Sequence, residues 1–371
     1  MKTIGITGSN GFVGWHLRAH LLPLSDVRVI QSERTIFNDP RALEHFVATC
    51  DAVVHLAGLN RGEDGEVYQT NIALTQKLTE ALRAAGAKPH VIFSSSTHKN
   101  RDTAYGKSKR ESGDMLLRWG AECGAPVSVL VFPNIFGEFT NPNYNSAVAT
   151  FCSNLVSGKT SEINKEAPIT LIHAQNAVAR IYGAIQNAIT GETTVDGMVT
   201  TIGAVYEKLK ELHAAYVNDI VPDTDDPFSR DLFNTLRSYL PASFYPRKCT
   251  PRTDERGTLF EVVKHGSGGQ TFFSTTNPDF VRGNHYHRRK FERFLVTEGE
   301  AEIQRRKVMS PDIVTYRVSG SELAFVDMPT FFTHNIKNIG SGKLTTLFWT
   351  NEIFNPEHPD TYIDPVETLE T

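Results

Sequence analysis

Cysteine is scarce in this chain: Cys50, Cys123, Cys152 and Cys249 are scattered over 371 residues with no Cys-x-x-Cys spacing. A disulfide framework is therefore not expected, and the pattern fits a reducing compartment, the cytoplasm. Positive charge is not in excess either, because 38 Lys and Arg stand against 42 Asp and Glu, a formal net charge of −4. Without a basic field to attract phosphate backbones, nucleic acid is not an expected partner and a small molecule is. No apolar run approaches the ~20 residues of a membrane span, and strand-like residues begin at Thr3, so neither membrane anchoring nor a secretory leader is expected. Low-complexity stretches and tandem repeats are also missing, which sets aside a disordered or solenoid chain.

What is there is an ordinary globular composition, 40% hydrophobic and 22% charged, spread over more residues than one domain of about 100–200 needs. Two domains are expected. Up to about residue 133, apolar runs at 3–7, 27–30, 52–56, 91–93 and 127–132 alternate with longer helix-like stretches, the signature of an α/β, doubly wound parallel sheet. Past Pro241 and Pro246 the runs shorten and alternate, at 270–275, 294–297, 316–318 and 344–349, which reads as an all-β sandwich or barrel. The boundary falls near residue 245, giving domains 1–245 and 246–371. Residues 140–240, with helix-like 177–188 and 204–215, are expected to form a substrate-facing lobe of the first domain.

The segment Gly8-Ser9-Asn10-Gly11-Phe12-Val13-Gly14 follows the first strand directly and opens a helical run. Gly8 permits the tight turn, Gly11 lets a pyrophosphate approach the backbone, and Gly14 allows close helix–strand packing, while the helix N-terminus offers N–H groups to the phosphates. This spacing, together with Asp51-Ala-Val-Val-His55-Leu56-Ala57-Gly58, resembles the extended short-chain dehydrogenase/reductase family. The resemblance implies a Rossmann-type fold with cofactor contacts from Gly8, Gly11, Phe12, Val13, Gly14, Asp51, Leu56, Ala57 and Gly58. At the end of the second strand Glu33 and Arg34 point opposite ways: an acid would grip the ribose 2′-OH of NAD, an arginine the 2′-phosphate of NADP. NADPH through Arg34 is the preferred reading.

Tyr105 and Lys109 stand four residues apart, on one face of a helix, and the ammonium is expected to lower the phenol pKa. They follow Phe93-Ser94-Ser95-Ser96, where the family resemblance places a hydroxyl that bonds the reacting carbonyl. Ser96 is the candidate, with Ser94 and Ser95 as polar strand-end residues. Carried over, Tyr105 would protonate the carbonyl oxygen as hydride arrives, Lys109 would hold the nicotinamide ribose, and Ser96 would orient the substrate. Dehydratases of the same family usually carry an Asp-Glu pair right after the active hydroxyl, whereas Thr97 and His98 follow here. That leaves a ketone reductase or a 4-epimerase. Asn134, in Pro133-Asn134-Ile135-Phe136-Gly137, matches the family's pattern at the border of the substrate cleft.

In the second half, His285-x-His287-x4-Glu292-x6-Gly299 is followed by Pro329-x-Phe331-x2-His334-x3-Asn338. Strand alternation places His285 and His287 on one face, and Glu292 and His334 can reach in from neighbouring strands, a set suited to zinc or another divalent metal. Both stretches resemble the cupin motifs, with Phe331 in place of the usual glycine. Upstream, Asp254-Glu255-Arg256-Gly257 through Glu261, and Arg282-Gly283-Asn284-His285-Tyr286, resemble the sugar-nucleotide 3,5-epimerase and 3,4-ketoisomerase branch of the cupins. In that branch a histidine removes a proton alpha to a 4-keto group and metal is often absent, so His285 has claims as ligand and as base. The ligand role is preferred because Glu292 and His334 complete a shell.

Both halves in this order and at this length are similar to a group of bifunctional capsular-polysaccharide biosynthesis enzymes, a likeness that includes residues 142–146 and 359–362. It implies a UDP-linked 2-acetamido-2,6-dideoxy-4-hexulose, epimerised at C3 in the cupin and reduced at C4 with NADPH to UDP-2-acetamido-2,6-dideoxy-L-talose, by a homodimer joined through the cupins. Arg282 stands where that group tends to carry lysine, which keeps the ketoisomerase branch open. The alternative is an NAD-dependent 4-epimerase with a structural zinc cupin used for dimerisation.

Overall fold

The structure, a computed structural model, describes residues 1–249, 252–254, 257–259, 269–352 and 355–367. Of the motif upstream of the cupin, Glu255, Arg256 and Glu261 lie outside the described residues. The chain forms two compact units, Met1–Ser153 with Ser161–Tyr206 and Asn154–Thr160 with Glu207–Thr371.

In chain order the first part runs β1 (Lys2–Thr7), α1 (Phe12–Leu21), β2 (Val27–Gln31), α2 (Pro40–Ala48), β3 (Ala52–His55), α3 (Asp64–Ala84), β4 (His90–Ser96), α4 (Ala104–Cys123) and β5 (Val127–Phe132). It continues through β6 (Asn134–Phe136), α5 (Ala147–Val156), β7 (Pro168–His173), α6 (Ala174–Gln186), β8 (Gly191–Thr194), β9 (Met198–Thr201) and α7 (Ile202–Val217). Six strands pair in parallel in the order β2-β1-β3-β4-β5-β8. Every residue of β3 and β5 is buried, as near-continuous apolar runs must be when helices cover both faces of a sheet. Phe46, Leu78, Leu116 and Trp119 fill one side and Leu17, Leu21, Ile172 and Ile181 the other. The order reverses between β1 and β3, so a crevice opens beyond their C-terminal ends, the place where such sheets bind ligands. A small sheet, β6-β7-β9, stands apart from the main one.

The second part contains α8 (Pro227–Arg237), β10 (Arg247–Lys248), β11 (Arg252–Asp254), β12 (Gly257–Leu259), β13 (Gln270–Thr276), β14 (Val281–Tyr286) and β15 (Glu292–Glu298). Then come β16 (Glu300–Lys307), β17 (Ile313–Ser319), β18 (Ala324–Met328), β19 (Phe332–Asn338), β20 (Leu344–Thr350) and β21 (Tyr362–Ile363). Two five-stranded antiparallel sheets, β10-β18-β15-β20-β13 and β17-β16-β19-β14-β21, share one core. Phe294, Val326 and Phe348 from one sheet meet Ile303 and Ile336 from the other, a double-sheet packing.

The opposite face of the first of these sheets carries charge. Arg293 and Asp327 are cross-strand partners joined at 2.8 Å, 2% and 1% exposed, and Asp327 also accepts from the Tyr216 hydroxyl. Arg237 of α8 lies 4.1 Å over the Phe291 ring, so residues 207–237 are built into the second unit through buried polar and aromatic contacts. Among the described residues no helix is long and apolar enough to cross a membrane.

Candidate active site and metal centre

The glycine turn joins β1 to α1 at the crevice. Gly8 has φ +70°, and a Cβ there would come within 2.7 Å of the Ala57 amide nitrogen, so neither the turn nor its contact with residues 56–58 tolerates a side chain. Gly14 is closed in the same way, its would-be Cβ 2.3 Å from the Gly8 carbonyl. Gly11 is the N-cap of α1 and no side chain caps that end, while Phe12 and Val13 form its first turn. Uncapped amides and a first turn without acids suit a pyrophosphate. Leu56 donates its amide to the Thr7 carbonyl at 3.1 Å, and Ala57 donates to the Thr7 hydroxyl at 3.4 Å. Gly8, Gly11, Phe12, Val13, Gly14, Leu56, Ala57 and Gly58 are thus brought to one edge.

Asp51 is not. It precedes β3, its carboxylate accepts from the Thr3 amide at 2.6 Å, and its carbonyl accepts from His90. All three are at the N-terminal ends of their strands, a strand length away from the glycine turn. Glu33 and Arg34 follow β2, both exposed, with Glu33 capping a short 3₁₀ turn that starts at Arg34.

β4 ends at Ser96, and α4 begins eight residues later with Thr103 as its cap, the hydroxyl accepting from Gly106 at 3.1 Å. A Cβ on Gly106 would lie 2.4 Å from the His98 carbonyl, so the first turn of α4 packs tightly against residues 98–101. That approach brings the Tyr105 phenol beside the Ser96 hydroxyl, near enough to act on its pKa. One turn on, Lys109 donates to the Ser94 carbonyl at 2.9 Å and lies 5.7 Å from the centre of the Tyr105 ring. Ser96, Tyr105 and Lys109 are therefore assembled at the end of β4. The expected lowering of the phenol pKa is corrected: burial pushes Tyr105 up to about 12, only partly opposed by the neighbouring Ser96 hydroxyl, and burial brings Lys109 down to about 8. Lys109 turns its nitrogen to the Ser94 carbonyl, and the loss of solvent dominates the phenol.

Residues not singled out from sequence support this edge. Asn71 on α3 donates to the Leu59 carbonyl at 2.9 Å and to Ser108 at 3.1 Å and accepts from the Leu59 amide at 2.7 Å, fastening the loop after β3 to α4. Thr75 repeats the contact one turn later with Ser112. The signal was present as polar residues four apart on both helices. Thr7 and the buried His55 share a 2.7 Å hydrogen bond, and burial pushes the His55 pKa to about 3. Asn134 donates to the Thr170 carbonyl at 3.2 Å, tying β6 to β7.

In the second unit His285 and His287 come from β14 and the turn after it, Glu292 opens β15 and His334 lies on β19. One donor atom from each lies within 4.8 Å of the others. Glu292 Oε2 is 3.2 Å from His287 Nε2 and 3.0 Å from His334 Nε2. His287 Nδ1 is 2.6 Å from the Asp360 carbonyl and His334 Nδ1 is 3.1 Å from that of Phe332. A carbonyl only accepts, so both Nδ1 atoms carry protons and both Nε2 atoms turn toward the centre, the arrangement that metal-binding imidazoles take. Burial, with His334 and His287 beside it, pushes His285 to about 4, a neutral imidazole. Burial alone would raise Glu292, but the neighbouring His287 and His334 hold it well below the usual carboxylate range. Three imidazoles and one carboxylate fit a divalent metal such as zinc.

Phe331, where the cupin motif has glycine, adopts φ +60° and is 1% exposed, with its amide on the His287 carbonyl at 2.8 Å. The left-handed turn is kept despite the side chain, at a cost of order 1 kcal/mol.

Residues 4–195 match the NAD dependent epimerase/dehydratase family, and residues 252–362 match the polysaccharide biosynthesis C-terminal domain. The chain belongs to the NAD dependent epimerase/dehydratase family. Over 368 residues, 98% of each chain, it is 33% identical to a UDP-2-acetamido-2,6-beta-L-arabino-hexul-4-ose reductase of Pseudomonas aeruginosa. It is similar in structure to the capsular polysaccharide assembling protein CapF of Staphylococcus aureus, with 33% identity, a TM-score of 0.64, and coverage of 98% of this chain and 100% of that one. A UDP-N-acetylglucosamine 4-epimerase of Methanobrevibacter ruminantium, 20% identical with a TM-score of 0.55 over 64% of this chain and 98% of that one, shares the fold.

Proposed function

We propose that this chain is a bifunctional enzyme of UDP-sugar biosynthesis for a capsular polysaccharide. The cupin epimerises C3 of a UDP-2-acetamido-2,6-dideoxy-4-hexulose, and the first domain reduces the C4 ketone with NADPH to UDP-2-acetamido-2,6-dideoxy-L-talose. The observation that carries this reading is the placement of Tyr105 beside Ser96 with Lys109 5.7 Å from the Tyr105 ring centre, at the sheet edge that bears the glycine turn. Full-length likeness to a UDP-hexulose reductase supports the substrate class.

In the reductase, Gly8, Gly11, Phe12, Val13, Gly14, Leu56, Ala57 and Gly58 would hold the dinucleotide, with Arg34 toward the 2′-phosphate. When bound, the reduced nicotinamide supplies the hydride. Ser96 donates a hydrogen bond to the ketone oxygen and fixes the carbonyl, keeping its own proton. Tyr105, with a pKa near 12, is fully protonated at neutral pH, the state in which it can donate to that oxygen as negative charge develops. Lys109 then stabilises the phenolate that remains. Thr97 and His98 add no acid–base pair beside Ser96, which favours simple reduction over elimination.

His285, His287, Glu292 and His334 would hold the metal, which when bound supplies a Lewis acid and a clamp between β14, β15 and β19. Exposed Phe280, Val281 and Ile363, on or beside β14 and β21, support dimerisation of cupins. The test is consumption of NADPH with a UDP-linked 4-keto-6-deoxy-N-acetylhexosamine. One NADPH oxidised per 4-hydroxy sugar formed is expected; tightly held NAD with no net oxidation would favour the 4-epimerase instead.

A further inference from the structure

Three buried titratable side chains of the first unit have no part in the chemistry above. Glu138, 1% exposed, follows Gly137 where the chain leaves β6, and its carboxylate lies 3.2 Å from Nε2 of His173, 3% exposed, at the junction of β7 and α6. His16 of α1, also 1% exposed, has its Nε2 3.0 Å from the Glu138 carbonyl. The rings of His16 and His173 meet edge to face at 6.5 Å, and Phe136 contacts His173 at 5.3 Å. Burial would raise the Glu138 pKa, but the His173 charge holds it below the usual carboxylate value.

Two of the segments joined here carry different functions. α1 begins on the glycine turn, and His16 is one turn past its first residues. β6 begins at Asn134, bordering the substrate cleft in the family pattern, and ends immediately before Gly137 and Glu138. The backbone between them is shaped for the contact. Gly137 has φ +159°, with room for a Cβ only 2.9 Å from that of Ala174, and Phe139 takes φ +66° to pack against Trp15 of α1 at 4.8 Å. A buried ion pair is a poor source of stability, since well-packed apolar residues do as well or better, but it fixes one register.

We infer that Glu138, His173 and His16 are positioning residues that lock the substrate strand β6 to the dinucleotide helix α1, so that occupancy of the glycine turn sets the position of Asn134. The inference rests on the reductase reading for its effect on turnover, and not for the mechanical link. A shift of β6 of about 1 Å would separate the C4 carbonyl from the nicotinamide enough to lower kcat by up to about 10²-fold.

Hydrogen exchange measured on the full-length protein with and without NADPH tests the link. In the wild type NADPH slows exchange in residues 8–16 and also in 134–140. In the His16→Leu/Glu138→Gln double variant, which removes both the tie from α1 to the Glu138 carbonyl and the ion pair with His173, protection of 8–16 remains and that of 134–140 is lost. For turnover the variant should keep its NADPH dissociation constant within about twofold, lower kcat about tenfold or more, and show a larger kinetic isotope effect with deuterated NADPH, because hydride transfer becomes limiting. Glu138→Asp, which keeps the charge, should recover part of kcat. Should the double variant prove unfolded, His16→Gln tests the same link from α1. Protection of 134–140 that survives in the variants, or an unchanged isotope effect in a folded variant, overturns the inference. A wild type that binds NADPH and protects 134–140 without reducing the sugar overturns the reductase reading alone.

Discussion

The Lys109 ammonium lies 5.7 Å from the centre of the Tyr105 ring while donating to the Ser94 carbonyl, so it faces the phenol without bonding to it. Tyr105 can then stay protonated before the reaction and be stabilised as phenolate after it.

Tyr105→Phe removes the donated proton and nothing else. Reduction should fall by at least ~10²-fold, the usual worth of a general acid, with NADPH affinity unchanged. Stopped-flow NADPH oxidation checks the first and cofactor fluorescence the second. Near wild-type oxidation would take Tyr105 out of the mechanism.

The pH profile carries a sign. Burial lowers Lys109 to about 8, so its charge is present below that pH and lost above it. The rate of reduction should therefore fall as pH rises through about 8, since the phenolate left on Tyr105 loses its counter-charge. Lys109→Met should be slow throughout and lack this limb. A flat profile from neutral pH to well above 8 in the wild type would detach Lys109 from proton transfer.

Arg34→Ala should weaken NADPH far more than NADH, because only NADPH loses charge-assisted bonds to its 2′-phosphate. Titration of both cofactors measures it. Equal losses would make Arg34 a surface charge and leave Glu33 as the specificity residue.

Metal and fold are coupled in the cupin. If His285, His287, Glu292 and His334 form the shell, binding energy is folding energy, and chelation or His287→Ala should lower the thermal stability of the second unit. Metal content and C3 exchange should fall together, while the first unit still binds NADPH. Elemental analysis that finds no metal in wild-type protein, with His285 still required for C3 exchange, would recast His285 as a free base.

Much of this arrangement is legible in sequence because its periodicities are local. The parallel strands read as apolar runs since both faces are covered, and the parity of His285 and His287 predicts their common face. Asp51 shows where locality misleads. It is five residues from Leu56 along the chain, but an extended strand carries those residues roughly 16 Å apart, to opposite ends of the sheet. The rise in the Tyr105 pKa is not legible in sequence because neighbours are visible there and burial is not. Contacts such as Tyr216 with Asp327, 111 residues apart, and Glu138 with His173 leave no periodic trace.

The most direct test of the central claim is NMR and mass analysis of the products made in deuterated water from a UDP-4-keto-6-deoxy-N-acetylhexosamine, with and without NADPH. Without NADPH, deuterium should enter at C3 and the ketone should persist. With NADPH, the product should be the 4-hydroxy talo sugar, formed with one equivalent of NADPH oxidised. An unchanged 4-keto sugar, with no deuterium at C3 and no NADPH consumed, would contradict the account.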